Sequence, residues 1–503
     1  MGPVVHFFVS YLYLIFYPIL CVFPDLYYPL VKLGFGAVNW FRRNQSVPRV
    51  SDPLLLISAT TAAEKIRQNE LKSVDLVSAY IRRIQAVNPI INAMVSDCFD
   101  EALAEAKEVD DYIDSADCES DEWKRLETEK PLFGIPFTVK DSLDVKGKNI
   151  TVGIVLRRGV ISKQDAEVVG KARAAGGILL GITNVPESLL CVESFNSLFG
   201  VTLNPYDTRR SPGGSSGGES ALISACGSLI GIGTDLGGSI RIPAFHTGIY
   251  GLKPTPGLVS TDGQVPEGLN GAGFKENLFC FGPMTRYIED VDLCLKAFNP
   301  DGYKKLKHEK MENIKILYIE SLPSECGAEP VAQAQREKLA EVAQFFETEH
   351  HLSNDLQDLN LYTEILKAAF GVSDHVLHVL LYIVGRNKTR KSAEQKKLVF
   401  EKIRRLREKI IAILEEENAF ILMPTWPHTA EFHGYTAWSD ANIAYTGIWN
   451  VLSLPALQCP TGFDEKGLPT GVQVVGPPNS EKRLIEIGMK IDELYGGWKA
   501  PWV

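Results

Sequence analysis

Apolar positions are continuous at the start of this chain and periodic after it. Val4 to Phe23 reads VVHFFVSYLYLIFYPILCVF, twenty residues without a formal charge while histidine is neutral. At 1.5 Å per residue, a helix of that length matches a bilayer core of roughly 30 Å. A cleaved leader fits poorly, because no Lys or Arg precedes the apolar run. Asp25 interrupts it, LYYPLVKLGFGAVNWF continues to Phe41, and Arg42 and Arg43 close the zone. The pattern predicts a membrane anchor over 1–43. Pro18, Pro24 and Pro29 allow a second picture, a hairpin within one leaflet with tyrosines and Trp40 at the interface. Arg42, Arg43 and Arg49 place the rest of the chain on the cytosolic side, on an endomembrane.

Residues 44–54 read as a linker around Pro48 and Pro53. Thr61 and Glu64 have capping-box spacing, and Ser73 opens a helix with Leu76, Tyr80, Ile81 and Ile84 on one face. Asn88-Pro89 predicts its end. Strands are expected at 90–95, 133–139, 178–182, 420–423 and 471–475, with helices at 99–113 and 166–175. Gly176-Gly177 ends the latter. From about 330 to 418 the pattern is mostly helical. Helices alternating with short apolar strands predict an α/β fold: a central mixed, twisted sheet covered by helices on both faces.

Composition narrows the function. Hydrophobic residues are 45% and charged residues 23% of the 503, as in an ordinary globular protein. The net charge of −10 argues against nucleic acid as a partner. Nine cysteines are scattered, with no CxxC and no zinc spacing, so they read as free thiols and no metal or cofactor is expected.

One stretch is unlike the rest. Residues 211–257 read SPGGSSGGESALISACGSLIGIGTDLGGSIRIPAFHTGIYGLKPTPG. Glycine lets backbone N–H groups approach a ligand, and the interleaved Ala, Leu and Ile argue for packing, not for a linker. A phosphate loop would need Lys where Glu219 stands. A nucleophile elbow is formally matched by Gly213-Gly214-Ser215-Ser216-Gly217, with His246, His428 or His433 as base. A third reading uses two serines and a lysine.

GGSSGGES, GTDLGGSIRIPA and GLKPTPG, in this order, resemble the amidase signature family. So do Gly134-Ile-Pro-Phe-Thr-Val-Lys140-Asp141 upstream, Ile182 to Glu187, Asn204-Pro205 and Gly467 to Gly476. The resemblance covers about 53–503, so 55–503 is expected to be an amidase domain. It implies a triad in which Ser239 is the nucleophile, Ser215 the bridging serine and Lys140 the base. It also implies a cis peptide at Gly214-Ser215. The backbone amides of Leu236, Gly237, Gly238 and Ser239 are candidates for an oxyanion hole. Burial would lower the pKa of Lys140 and let its neutral amine accept a proton. Asp235 and Arg241 read as a supporting ion pair. Taken singly, Ser239 fits a helix cap, Ser215 a turn and Lys140 a surface pair with Asp141. Thr151-Val-Gly-Ile-Val departs from the TTAGS-like stretch of many members, which leaves the preferred acid open.

With the apolar N-terminus, the resemblance implies a membrane-bound serine hydrolase of fatty-acid amides. Its partners would be a lipid-like amide and membrane lipid, and a homodimer is compatible with the sequence. The acyl channel is placed among Leu366, Phe370, Val376, Leu377, Leu380 and Leu381. The alternatives are an amidase of small soluble amides, the amidase component of a transamidation complex, and, from another class, an inactive membrane scaffold.

Overall fold

The computed structural model describes residues 24–117, 120–266, 278–306, 314–322, 328–349 and 393–502. In chain order its strands are β1 (Met94–Asp97), β2 (Pro136–Lys140), β3 (Ile178–Thr183), β4 (Phe195–Asn196), β5 (Gly200–Val201) and β6 (Ile230–Asp235). There follow β7 (Tyr250–Lys253), β8 (Cys280–Thr285), β9 (Lys315–Tyr318), β10 (Ala419–Pro424), β11 (Ala456–Phe463) and β12 (Pro469–Val475). Ten of them join in the order β1-β3-β2-β6-β8-β7-β11-β12-β10-β9, and β4 with β5 forms a separate ribbon. The pairs β2–β3, β2–β6 and β9–β10 are parallel and the others antiparallel, so the sheet is mixed.

Every residue of β2, β3, β6 and β8 is buried, as strands covered on both faces require. In β10 the alternation sorts the two faces. Phe420 and Leu422 join the core that holds Leu339, Val342, Leu484 and Ile487. Ala419, Ile421 and Met423 join a second core with Ile403, Ile410, Leu414 and Trp449. Each such fully buried aliphatic side chain contributes roughly 1.5–3 kcal/mol.

The helix expected to stop at Asn88-Pro89 instead runs Ser73–Ile91 with Pro89 inside it. Asn92 closes the helix in the left-handed region, with its N–H on the Asn88 carbonyl. Asn88 Oδ1 accepts from the N–H groups of Ala93 and Met94, both at 2.8 Å, so the strand expected from residue 90 starts at Met94. The helix Ala59–Arg67 is capped by Ser58, whose Oγ accepts from Thr61 N–H, three residues before the expected capping box. Gly176, at φ +88°, follows the helix Glu167–Ala174 as anticipated.

The N-terminal helix Pro24–Trp40 starts on a proline and carries Pro29 within it, so the chain does not turn back at Pro29, while Pro18 lies outside the described residues. Tyr28 and Asn39 face the domain, and Phe35 meets Tyr435 edge to face at 5.7 Å. Leu30, Leu33, Trp40 and Phe41 point outward, Leu33 being 71% and Phe41 91% exposed. Among the described residues no helix is long and apolar enough to cross a membrane. The expected span Val4–Phe23 and the expected channel residues 366–381 lie outside the described residues.

Candidate active site

Parallel pairing of β2 with β6 brings the end of one strand beside the end of the other. Lys140 closes β2, and its side chain turns inward and is fully buried. Its Nζ lies 2.7 Å from Ser215 Oγ and 2.7 Å from Thr234 Oγ1, with the Thr234 carbonyl at 3.4 Å. Burial disfavours the ammonium and lowers the pKa from 10.5 to about 7, against the pull of Asp235 and Glu219. Surface pairing of Lys140 with Asp141 does not occur. Asp141 is itself buried, accepts from Thr151 N–H at 2.8 Å and from the Thr151 hydroxyl, and is pushed up to about 6 by burial.

Ser215 sits on the turn between Ser211 and the helix Gly217–Ser224, and the Gly214–Ser215 peptide is cis, as the resemblance implies. Side chains are excluded from this turn. A Cβ on Gly214 would stand 2.7 Å from the Glu193 nitrogen, and one on Gly213, at φ +87°, 2.7 Å from Pro243 Cα. Ser216 N–H donates to the Ser239 carbonyl at 3.1 Å, which ties the two serine-bearing turns together. Ser239 is half-buried, and its hydroxyl makes no hydrogen bond among the described residues.

The turn 236–239 hangs from Asp235. This carboxylate is met by Arg241 Nε at 3.1 Å and Nη2 at 3.2 Å, so the expected pair is present, with both members fully buried. Asn450 Nδ2 donates to Asp235 Oδ1 at 2.9 Å. Burial pushes the Asp235 carboxyl up, but Arg241, together with the Lys253 charge and the Asn450 amide, outweighs it and holds the pKa at about 2. Gly238 N–H also donates to Asp235 Oδ1, at 2.7 Å, so that amide is not free for an oxyanion. The N–H groups of Leu236, Gly237 and Ser239 make no hydrogen bond among the described residues. Gly238 contributes shape instead: its φ is +125°, and a Cβ there would stand 2.2 Å from Thr446 Oγ1. That hydroxyl donates to the Gly237 carbonyl at 2.6 Å.

None of the three histidines weighed for an elbow bonds either serine. His428 Nε2 stands 3.0 Å from Glu329, and His433 Nδ1 2.6 Å from Glu193. His246 is fully buried, neither of its ring nitrogens has a hydrogen-bond partner among the described residues, and burial holds its pKa at about 3. Glu219, the residue that spoke against a phosphate loop, lies in the core, where the Thr138 and Thr183 hydroxyls donate to it at 2.6 and 2.8 Å. Burial raises it to about 8. The sequence reading missed Thr234, Thr446, Asn450 and Gln473, whose Oε1 accepts from Arg241 Nη1 at 3.0 Å. Thr234 was within sight, one residue before Asp235. The other three are far away in sequence and no local pattern marks them.

An amidase family model matches residues 75–322 and 341–485. Fatty-acid amide hydrolase 2-A of Danio rerio is 35% identical over 519 residues, covering 94% of this chain and 96% of its own. Fatty-acid amide hydrolase 2 of Homo sapiens is 34% identical over 493 residues, 90% and 91% of the two chains. Among solved structures, a fatty acid amide hydrolase superposes with a TM-score of 0.70 at 24% identity, covering 88% of this chain and 86% of that one. That last likeness shows the fold.

Proposed function

Because the chain belongs to the amidase signature family, and is therefore an amide hydrolase with a serine nucleophile, we propose that it cleaves fatty-acid amides at a membrane surface through Ser239, Ser215 and Lys140. The observation that carries the chemistry is the 2.7 Å contact between a buried lysine amine and the Ser215 hydroxyl. Ser239 Oγ attacks the amide carbon while its proton passes to Ser215, whose own proton goes to the neutral Lys140 amine. The developing oxyanion is met by the free N–H groups of Leu236, Gly237 and Ser239, and the loss of one such donor typically costs about 2.7–4 kcal/mol. Collapse breaks the carbon–nitrogen bond, and the proton held by Lys140 returns through Ser215 to the departing amine. Water then attacks the acyl-enzyme by the same relay and releases the fatty acid.

Two observations support the lipid-like substrate: the likeness to fatty-acid amide hydrolase 2 over most of both chains, and the uncharged stretch 4–23. That stretch would hold the enzyme where such amides partition, since each buried CH₂ contributes about 0.8 kcal/mol to residence in lipid. The N-terminal anchor over 1–43, the linker 44–54 and an amidase domain over 55–503 are part of this reading.

Ser239→Ala is expected to abolish both hydrolysis and labelling by a fluorophosphonate while the protein stays folded. Labelling that survives in Ser239→Ala and vanishes in Ser215→Ala would favour the elbow instead. For substrate, kcat/KM over primary amides from two to eighteen carbons should rise with chain length. A preference for acetamide or glutamine would point to the small-amide alternative.

A further inference from the structure

Glu329 is a fully buried carboxylate remote in sequence from the catalytic motif, and its partners come from separate parts of the chain. Its backbone N–H donates to Asn442 Oδ1 at 2.7 Å, and its Oε1 accepts from Asn442 Nδ2 at 2.9 Å. Its carbonyl accepts from the Tyr445 hydroxyl at 3.1 Å, and its Oε2 from the Tyr435 hydroxyl at 3.0 Å. Lys32 Nζ, from the N-terminal helix, reaches Oε2 at 2.7 Å. His428 Nε2 stands 3.0 Å from the same oxygen.

Asn442 lies in the short turn Asp440–Ile443, which runs straight into the helix Ala444–Val451. That helix carries Thr446, on the Gly237 carbonyl, and Asn450, on Asp235. Tyr445 is held from its other side by Gln473 Nε2, which donates to its carbonyl at 2.8 Å. A continuous set of bonds therefore runs from Lys32 through Glu329 and Asn442 to the turn that bears Ser239.

We infer that Lys32 is a positioning residue for this turn: by neutralising Glu329 it keeps Asn442, and with it the helix carrying Thr446 and Asn450, in place. The inference rests on the reading of Ser239 as nucleophile. A buried carboxylate without a cation either takes a proton or turns toward water. Both outcomes disturb the two-point contact with Asn442. The groups facing Glu329 besides Lys32 are His428, Tyr435 and Glu431, and Lys466 lines a cavity beside His428. Burial holds His428 below its ordinary value, and Lys32 beside it adds to that. Without Lys32, His428 is the group left to charge.

The test compares full-length Lys32→Met, Lys32→Arg, Glu329→Gln and the double variant Lys32→Met/Glu329→Gln on a short-chain, water-soluble amide, so that delivery from lipid plays no part. Lys32→Met should lower kcat by about tenfold with little change in KM. It should also gain a loss of rate on the alkaline side, as His428 gives up its proton. Lys32→Arg should keep the rate. The double variant should recover it, because a neutral glutamine amide needs no cation and still accepts from Asn442. A wild-type kcat and pH profile in Lys32→Met would overturn the inference. So would a loss equally deep in the double variant, which would mark Lys32 as packing. Ser239→Ala, labelled in parallel, keeps the two readings apart: its continued labelling would remove the nucleophile assignment while leaving the kcat comparison at Lys32 intact.

Discussion

At Lys140 the desolvation of the amine outweighs the carboxylates of Asp235 and Glu219, and the pKa falls from 10.5 to about 7. The proposed relay needs the neutral amine, so kcat/KM should rise with pH, pass its midpoint near 7 and level off above it. The same shift acts on stability. Between about 7 and the ordinary lysine value the unfolded chain binds a proton that the folded chain does not, so stability also rises with pH across that window. Lys140→Met removes both effects at once: activity should drop severely, and the rate remaining should lose its midpoint near 7. A pH–rate profile unchanged by this substitution would exclude Lys140 as the base. Thr234 completes the geometry. With its hydroxyl and carbonyl both accepting from Nζ, the amine's lone pair is left for the Ser215 proton.

The turn 236–239 works as an element because neighbours on three sides fix it: Asp235 and Arg241 at its ends, Asn450 and Thr446 above. Arg241→Met would leave the Asp235 carboxylate buried without its ion-pair partner, at a cost of about 3–5 kcal/mol, readable as a lowered denaturation midpoint. Gly238→Ala should abolish activity, because a Cβ cannot share space with Thr446 Oγ1. Wild-type activity in that variant would show that the turn can be rebuilt. The reasons some of this was legible in sequence and some not are local. Lys140, Ser215, Ser239, Asp235 and Arg241 sit in short motifs whose spacing survives folding. Thr446, Asn450 and Gln473 act through contacts made only when β12 and the helix Ala444–Val451 close over the turn. The same contrast holds for elements. Apolar runs at 178–182 and 420–423 became β3 and β10 within a residue or two, whereas Pro89 misled because the helix end is set just beyond it by Asn92 and by the Asn88 side chain, which accepts from Ala93 and Met94.

At the scale of the molecule, the helix Pro24–Trp40 is docked by its polar and aromatic side and leaves Leu30, Leu33, Trp40 and Phe41 outward. Removing residues 1–23 should therefore weaken binding to lipid vesicles while sparing turnover of detergent-dispersed substrate. Removing 1–43 takes Lys32 away as well and should lower turnover too. Equal turnover in the two truncations would show that the helix contributes nothing to the domain. The contacts that secure the turn 236–239 are made late in synthesis. Lys140, Ser215 and Ser239 are all made before Glu329, and long before Asn442, Thr446, Asn450 and Gln473. A nascent chain thus carries the proposed triad through a long later stretch of translation without the parts that hold it in register. Only when β12 and the helix Ala444–Val451 close over it does the turn 236–239 become fixed, so the proposed nucleophile is held in register only late in synthesis.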